Sequence, residues 1–429
     1  FGSIENKNAP HTSTYDLFDY LMKIPPNEFP IQYPIGVYGG SGRGNPFQLL
    51  NGTGYTQSFN SSLSGLLTAT RKLDFITKGL FVKGNYSFDG YFTNNFTRTK
   101  DTRTAMYNGA GDLLDPASYT YVGSDLPLSA PSSAYSQNRN IWLDFSLNYD
   151  REFGDHAFTG LLLANRTQRV IGGQIPYVSQ GLVSRLTYSY KSKYFAEFDA
   201  GFNGTDNFAK GKRYGFFPAV SAGWVISSEK FLQDNPVIDL LKVRGSYGLT
   251  GNDQLDGRRW LFISEYQNGT SYGFGDPLVN MGGKTEGPMA NPDVTWETAH
   301  KLNLGLDLKL WKGLFGLTLD VFRERRNDIL ITRGTVPAMI GVPVASLPPA
   351  NMGEVENKGI EVDLTHNNQV GSVHYFVRVN GSFARNKILF MDEVSWPYDY
   401  LKLTGRPIGQ LFGLTATGFF QNQDEIDKS

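Results

Sequence analysis

The stretch KLNLGLDLKL, Lys301–Leu310, constrains the fold of this chain more than any other. Leu302, Leu304, Leu306, Leu308 and Leu310 fall on one face of an extended strand, and Lys301, Asn303, Gly305, Asp307 and Lys309 fall on the other. Period two sustained this long is a strand signature. At helical spacing the same leucines would spread around the whole circumference. A sheet built from such strands has one oily surface and one polar surface.

The pattern recurs. Ile141, Leu143, Phe145, Leu147 and Tyr149 alternate with Trp142, Asp144, Ser146 and Asn148. Tyr194, Ala196, Phe198, Ala200 and Phe202 alternate with Phe195, Glu197, Asp199, Gly201 and Asn203. Val243, Tyr247 and Leu249 alternate with Lys242, Arg244 and Ser246, and Val373, Tyr375, Val377 and Val379 with His374, Arg378 and Asn380. Further strands are predicted over 59–70, 78–92, 156–169, 181–190, 214–227, 314–331, 357–366 and 409–420. Soluble strands usually run about 5–6 residues, whereas a tilted membrane strand needs about 9–11. Several strands here reach the longer range.

Connections alternate in length. Short turns join 140–150 to 156–169, 181–190 to 194–204, 298–311 to 314–331, and 357–366 to 373–386. Between those hairpins lie long segments, 93–139, 251–297, 331–356 and 387–408, rich in Gly, Pro, Asn, Ser and aromatics. A membrane barrel with short periplasmic turns and long outer loops has this rhythm. Tyr149 and Phe158, then Tyr188, Tyr190 and Tyr194, then Trp311 and Phe315 flank the short turns, as expected of an interfacial aromatic girdle. Phe and Tyr are plentiful, at 30 and 23, and Gly is 48, a mixture that favours strands and turns. No stretch approaches the roughly 18–20 apolar residues of a transmembrane helix. Cys is 0, which excludes a disulfide framework and suits passage through an oxidising compartment. Lys+Arg 40 against Asp+Glu 41 gives no bulk attraction to nucleic acid.

Several stretches resemble the barrel region of SusC/RagA-like TonB-dependent transporters: YLMKIPPNEFPIQYPIGVYGG (Tyr20–Gly40), LDFITKGLFVKGNYSFD (Leu73–Asp89), Tyr194–Asp253 with GFFPAVSAGWVISSEKFL and LLKVRGSYGLTGND, NPDVTWETAHKLNLGLDL (Asn291–Leu308), and NMGEVENKGIEVDL (Asn351–Leu364). The resemblance implies an all-β fold, a transmembrane antiparallel barrel of about 22 strands with a plugged lumen. Residues 1–429 would be part of the wall of that one barrel domain, with the plug, first strands and last strands outside the sequence. It implies a Gram-negative outer membrane, active import of an oligosaccharide or peptide, energy from TonB through a segment not in this sequence, and a SusD-like lipoprotein lid. A dimer of transporter–lipoprotein pairs is the implied assembly. The alternatives are a passive porin and a soluble carbohydrate-binding β-protein.

Chemistry is sparse. GGSGRGNP (Gly39–Pro46) lacks the Lys-Ser/Thr ending of a phosphate loop and reads as a flexible outer loop. GNDQLDG (Gly251–Gly257) lacks EF-hand spacing and reads as a turn. With 5 His and no Cys, no nucleophile–base pair is legible, and neither an enzyme, a metal nor a cofactor is expected. Asp144, Glu197, Asp199, Arg244, Asp307, Asp320 and Arg378 are expected to face the lumen, where charge is solvated or meets the plug. Among the loop aromatics, Trp260, Tyr272, Tyr55, Tyr121 and Trp396 are the candidates for stacking on cargo or anchoring a partner.

Overall fold

The computed structural model describes residues 2–8, 14–41, 44–233, 235–255, 257–416 and 418–428. Thirteen strands form one sheet, each hydrogen-bonded to the next in the chain. They are β1 (Gly2–Asn8), β2 (Gly54–Lys72), β3 (Leu80–Thr99), β4 (Ser132–Phe153), β5 (His156–Ile171), β6 (Tyr177–Tyr190), β7 (Tyr194–Thr205), β8 (Tyr214–Val225), β9 (Ile238–Asn252), β10 (Glu297–Leu310), β11 (Phe315–Ile331), β12 (Ala350–Val370) and β13 (Val373–Phe390). The chain folds as two compact units. One comprises Phe1–Ala69, Asn85–Leu143 and Thr167–Val178, the other Thr70–Gly84, Asp144–Arg166 and Ser179–Ser429.

The second unit contains the regular wall. Its register keeps the two faces separate over many tiers. Val243, Leu306, Leu319 and Val362 stand opposite one another in sequence across β9–β12, and so do Lys242, Asp307, Thr318 and Asp363 one residue away. The first tier lies on the apolar face and the second on the polar one, because successive side chains in a strand point to opposite faces. The apolar face is not covered by protein: Leu304 is 57% exposed, Val379 58% and Phe383 59%. An apolar surface of this extent is stable only against lipid or a partner.

Aromatics close that face at the short-turn end. Rings follow one another from Phe153 to Phe158 (6.2 Å), Phe158 to Tyr188 (4.8 Å), and Tyr190 to Tyr194 (6.4 Å) to Trp224 (6.3 Å). A second row runs Trp311–Phe315 (5.7 Å), Phe315–His366 (4.5 Å) and His366–Tyr375 (5.4 Å). The turns themselves are tight. Gly154 and Gly371 take φ of 60° and 62° in the two-residue connections β4–β5 and β12–β13, a backbone region that suits hairpin turns and favours glycine.

The first unit carries a small three-stranded sheet, Tyr38–Gly39, Thr104–Tyr107 and Tyr119–Val122, packed on Tyr33, Ala105 and Tyr119. It also has two helices, α1 (Thr14–Lys23) and α2 (Pro46–Asn51). Asn45, buried, caps α2 by accepting from the N–H groups of Phe47 (3.0 Å) and Gln48 (3.2 Å), while its amide donates to the carbonyls of Ile31 and Gly39. The end of the Gly-rich stretch is therefore a helix cap. Positions 42 and 43 of that stretch lie outside the described residues.

Two expectations are corrected. Strand boundaries reach further into the long segments: 93–99, 132–139, 350–356 and 387–390 are ladder, not loop. These extensions have mixed polar faces, so no apolar alternation marks them. The segment 409–420 forms no strand among its described residues, and Leu414 and Phe419 stand fully open. The chain touches β13 where Gly405 N–H donates to Ile388 O and Ile388 N–H to Arg406 O. Pro407 and then Gly409 (φ 77°) carry it away, and alternation without a ladder partner does not make a strand.

Candidate functional site

The polar face of the second unit is an ionic lattice centred on Arg244 of β9. Its Nη2 donates to Asp320 Oδ2 at 2.6 Å, Nε to Asp307 Oδ2 at 3.3 Å, and Nη1 to Asn303 Oδ1 at 3.5 Å. Thr318 Oγ1 donates to the other oxygen of Asp307 at 3.2 Å. The residue opposite Arg244 is Gly305, and a Cβ there would lie 2.4 Å from the guanidinium carbon. The missing side chain lets the guanidinium lie across β10 and reach β11. Beside this cluster Arg378 grips Asp363, with Nε and Nη2 at 2.8 and 2.5 Å from Oδ2. On β6 and β7, Arg185 meets Glu197 at 2.6 Å and Asp199 at 3.8 Å. Asp144 is buried on the polar face of β4.

All seven charged positions singled out from the sequence thus lie on the polar face. The structure joins Arg244, Asp307 and Asp320 in one cluster, sets Glu197 and Asp199 on the same Arg185, pairs Arg378 with Asp363, and buries Asp144 on β4. A groove of about 510 Å³ runs past Asp307, Thr318, Asp363 and Arg378. Both signs of charge line it, so it offers hydrogen-bonding and ionic contacts to a polar solute.

The five aromatic candidates fare differently. Tyr55 lies in β2, not in a loop. Tyr121 sits in the small sheet of the first unit, with Arg103 stacked 4.6 Å over its ring and its hydroxyl donating to Pro116 O. Trp260 takes a positive φ of 50° and carries Arg259 at 4.1 Å over its ring, and Arg259 is itself tied to Asp206. Trp396 is 40% exposed outside any regular element. Tyr272 belongs to a hairpin arm that the sequence reading left as loop. In this arm Tyr266–Asn268 pairs with Lys284–Glu286, and Tyr272–Phe274 with Val279–Met281. Tyr272 faces Met281 and Phe274 faces Val279, giving four exposed apolar side chains on one side of the arm. The signal was present in YGF and VNM flanking Gly275–Asp276–Pro277, a turn sequence. Trp296, by contrast, is packing: it contacts Phe208 and Phe217, and its Nε1 donates to Arg213 O.

Outside the wall, two carboxylates fix the loops. Asp392 accepts from Thr335 Oγ1 (2.7 Å) and from the N–H groups of Gly334 and Thr335, and chiefly the Thr335 hydroxyl holds its carboxyl below the ordinary range. At the short-turn end Glu229 accepts from Tyr194 OH (2.7 Å) and Trp224 Nε1 (3.3 Å) and meets Lys193, and the Tyr194 bond leads in lowering its carboxyl below the usual range. In the first unit, an apolar groove of about 520 Å³ opens among Phe18, Leu21, Ile24, Phe29, Phe47 and Leu50.

The family described as TonB dependent receptor-like, beta-barrel, matches residues 3–421. TonB-dependent receptor P3 of Formosa agariphila is 29% identical over 366 residues, 77% of this chain and 35% of that protein. TonB-dependent receptor SusC of Bacteroides thetaiotaomicron is 30% identical over 184 residues, 42% of this chain and 18% of that one. The structure of the RagAB peptide importer in its closed-closed state aligns over 86% of this chain and 42% of that one, with a TM-score of 0.61 and 18% identity. The chain therefore spans well under half the length of these relatives.

Proposed function

The chain belongs to the TonB dependent receptor-like β-barrel family, and from that premise we propose that the protein it builds imports a large polar nutrient across the outer membrane, driven through TonB. Proteins of this family reside in the outer membrane of Gram-negative bacteria, and they are receptors and transporters rather than enzymes. Residues 1–429 serve as part of the wall of a single barrel domain.

The observation that carries this reading is the two-faced ladder. An uncovered apolar face suits lipid, and the opposite face holds Arg244, Asp307, Asp320, Asp363 and Arg378 in closed ion pairs. Such a face keeps a polar passage hydrated. The long-loop end supplies the recognition elements: the hairpin arm with Tyr272, and Trp260 braced by Arg259. The cargo is an oligosaccharide or a peptide. RagAB, described as a peptide importer, supports the peptide, and flat aromatic rings beside polar groups suit a sugar equally. A SusD-like surface lipoprotein closes over the loops, and the apolar arm face and the Phe18–Phe47 groove are surfaces of the kind it would cover.

The test is affinity purification of the tagged full-length protein in mild detergent, paired with uptake measured after deleting residues 262–290. Recovery of a lipoprotein partner and loss of uptake are expected. A lone barrel, with uptake unchanged by the deletion and independent of the proton gradient, would indicate a passive porin instead.

A further inference from the structure

On the lipid-facing side of β11, β12 and β13, the apolar rows stop abruptly at the long-loop end. The last apolar tier is Val321, Ile360 and Phe383, opposite one another across the three strands. The next tier is Arg323, Lys358 and Arg385, again in register. Three cations side by side on neighbouring strands span about 10 Å, and like charges directly opposite destabilise a sheet. The tier beyond is Arg325, Glu356 and Lys387. Glu356 meets Arg323 at 2.5 Å, and Glu354 meets Arg325 at 2.7 Å. Those two carboxylates engage Arg323 and Arg325. Lys358 reaches Glu356 only at 4.0 Å, and among the described residues neither Arg385 nor Lys387 has an ion-pair partner. Arg385 lies over the ring of Phe383, with 5.3 Å to its centroid.

From this arrangement we infer that the patch binds the phosphorylated headgroup of an outer-leaflet lipid, with its acyl chains on the tier of Val321, Ile360 and Phe383. The family places the long-loop end at the outer surface, so the patch stands at the depth where acyl chain gives way to headgroup. A phosphate supplies the anion that the cation row lacks, and guanidinium groups grip phosphate through two parallel hydrogen bonds. A soluble anion would use the cations but not the apolar tier beneath them. The surface therefore fits an amphiphile. This inference concerns the outside of the wall and stands apart from the import reading.

The experiment uses the full-length protein in nanodiscs containing a phosphorylated glycolipid of the lipid A type, or the same lipid after removal of its phosphates. Bound lipid is counted by native mass spectrometry after mild delipidation. Retention of the phosphorylated lipid is expected, with loss of retention once its phosphates are gone. Inorganic phosphate alone should not displace it. K358Q/R385Q/K387Q should lower retention at least about tenfold, since each cation near an anionic surface strengthens association several-fold. The control K210Q/K284Q/K428Q removes the same charge at positions away from this patch and should leave retention intact. Equal retention of both lipids by the unmodified protein would overturn the inference without reference to any variant. So would displacement by inorganic phosphate, or equal losses from the two triple variants.

Discussion

Replacing Leu319 by Arg puts a cation where the wall meets the middle of the bilayer. Leu319 lies four residues from Phe315, in the aromatic row, and four from Arg323, where the apolar face ends. That is about 14 Å along the strand in either direction, or about 10 Å of depth at the usual tilt. An Arg stem at this position does not bring its guanidinium to either headgroup layer. Its lateral neighbours, Leu306 and Val362, offer no counter-charge. The expected penalty is about 2–4 kcal/mol, equivalent to roughly 30- to 900-fold in the assembly equilibrium. Thr318→Arg, one residue away at the same depth, is the matched control. Thr318 stands between Asp307 and Asp363 on the polar face, so the new guanidinium has two carboxylates beside it. Its cost should be within about 1 kcal/mol of zero, because those acids already serve Arg244 and Arg378. Urea unfolding of the full-length protein from lipid vesicles, read by tryptophan fluorescence and heat-modifiable gel mobility, measures both. Equal penalties would refute the assignment of faces.

Three further outcomes are expected. Arg244→Met should destabilise the wall by about 1–2 kcal/mol by leaving Asp307 and Asp320 without their shared cation, discounted because the site is partly exposed; most of that cost should vanish in R244M/D307N/D320N, measured by the same unfolding assay. The carboxyl of Glu229 is held below its ordinary value of 4.5, so its anchoring of Tyr194 and Trp224 is full above that pH and is lost as pH falls through the depressed value; amide exchange over 226–237 should rise at acid pH and lose that pH step in E229Q. Single cysteines at Asp276, Ser124 or Asp399 should react with an impermeant thiol reagent on intact cells, and those at Ser192, Lys312 or Ser372 should not. The reverse pattern would invert the topology.

The lipid-crossing part of the fold was legible because burial there is decided by parity alone. Lys301–Leu310 alternates without exception, and its observed strand, Glu297–Leu310, contains all of it. Outside the bilayer that rule lapses. The ends of β3, β4 and β12 carry mixed polar sequences with no sustained two-fold apolar rhythm, so their paired backbone was not foreseen. The opposite error occurred at 409–420, where the rhythm exists but no ladder partner fixes it. The seven charged positions were placed on the polar face by parity, yet their grouping was not legible. That grouping depends on register across strands 60 or more residues apart in sequence, such as Arg244 with Asp307 and Asp320. Tyr55 and Trp296 show the limit for aromatics, since composition does not separate a ring that waits for cargo from one that fills a strand or a loop core.

The irregularities of the ladder fall at its ends. Register shifts occur between Ile238 and Leu240, between Arg326 and Leu330, and between Glu354 and Val355. The apolar tiers between Leu302 and Leu308 run without a bulge. A single inserted or deleted codon within those tiers would exchange the lipid-facing and polar sets of every residue beyond it. Lineages descending from a common ancestor should therefore accumulate length differences in the crown segments and at the bulged margins, while the membrane-embedded tiers keep a fixed count of residues and diverge by substitution only. Gaps in an alignment of relatives would then mark the depth of the bilayer along each strand, with no need for hydropathy.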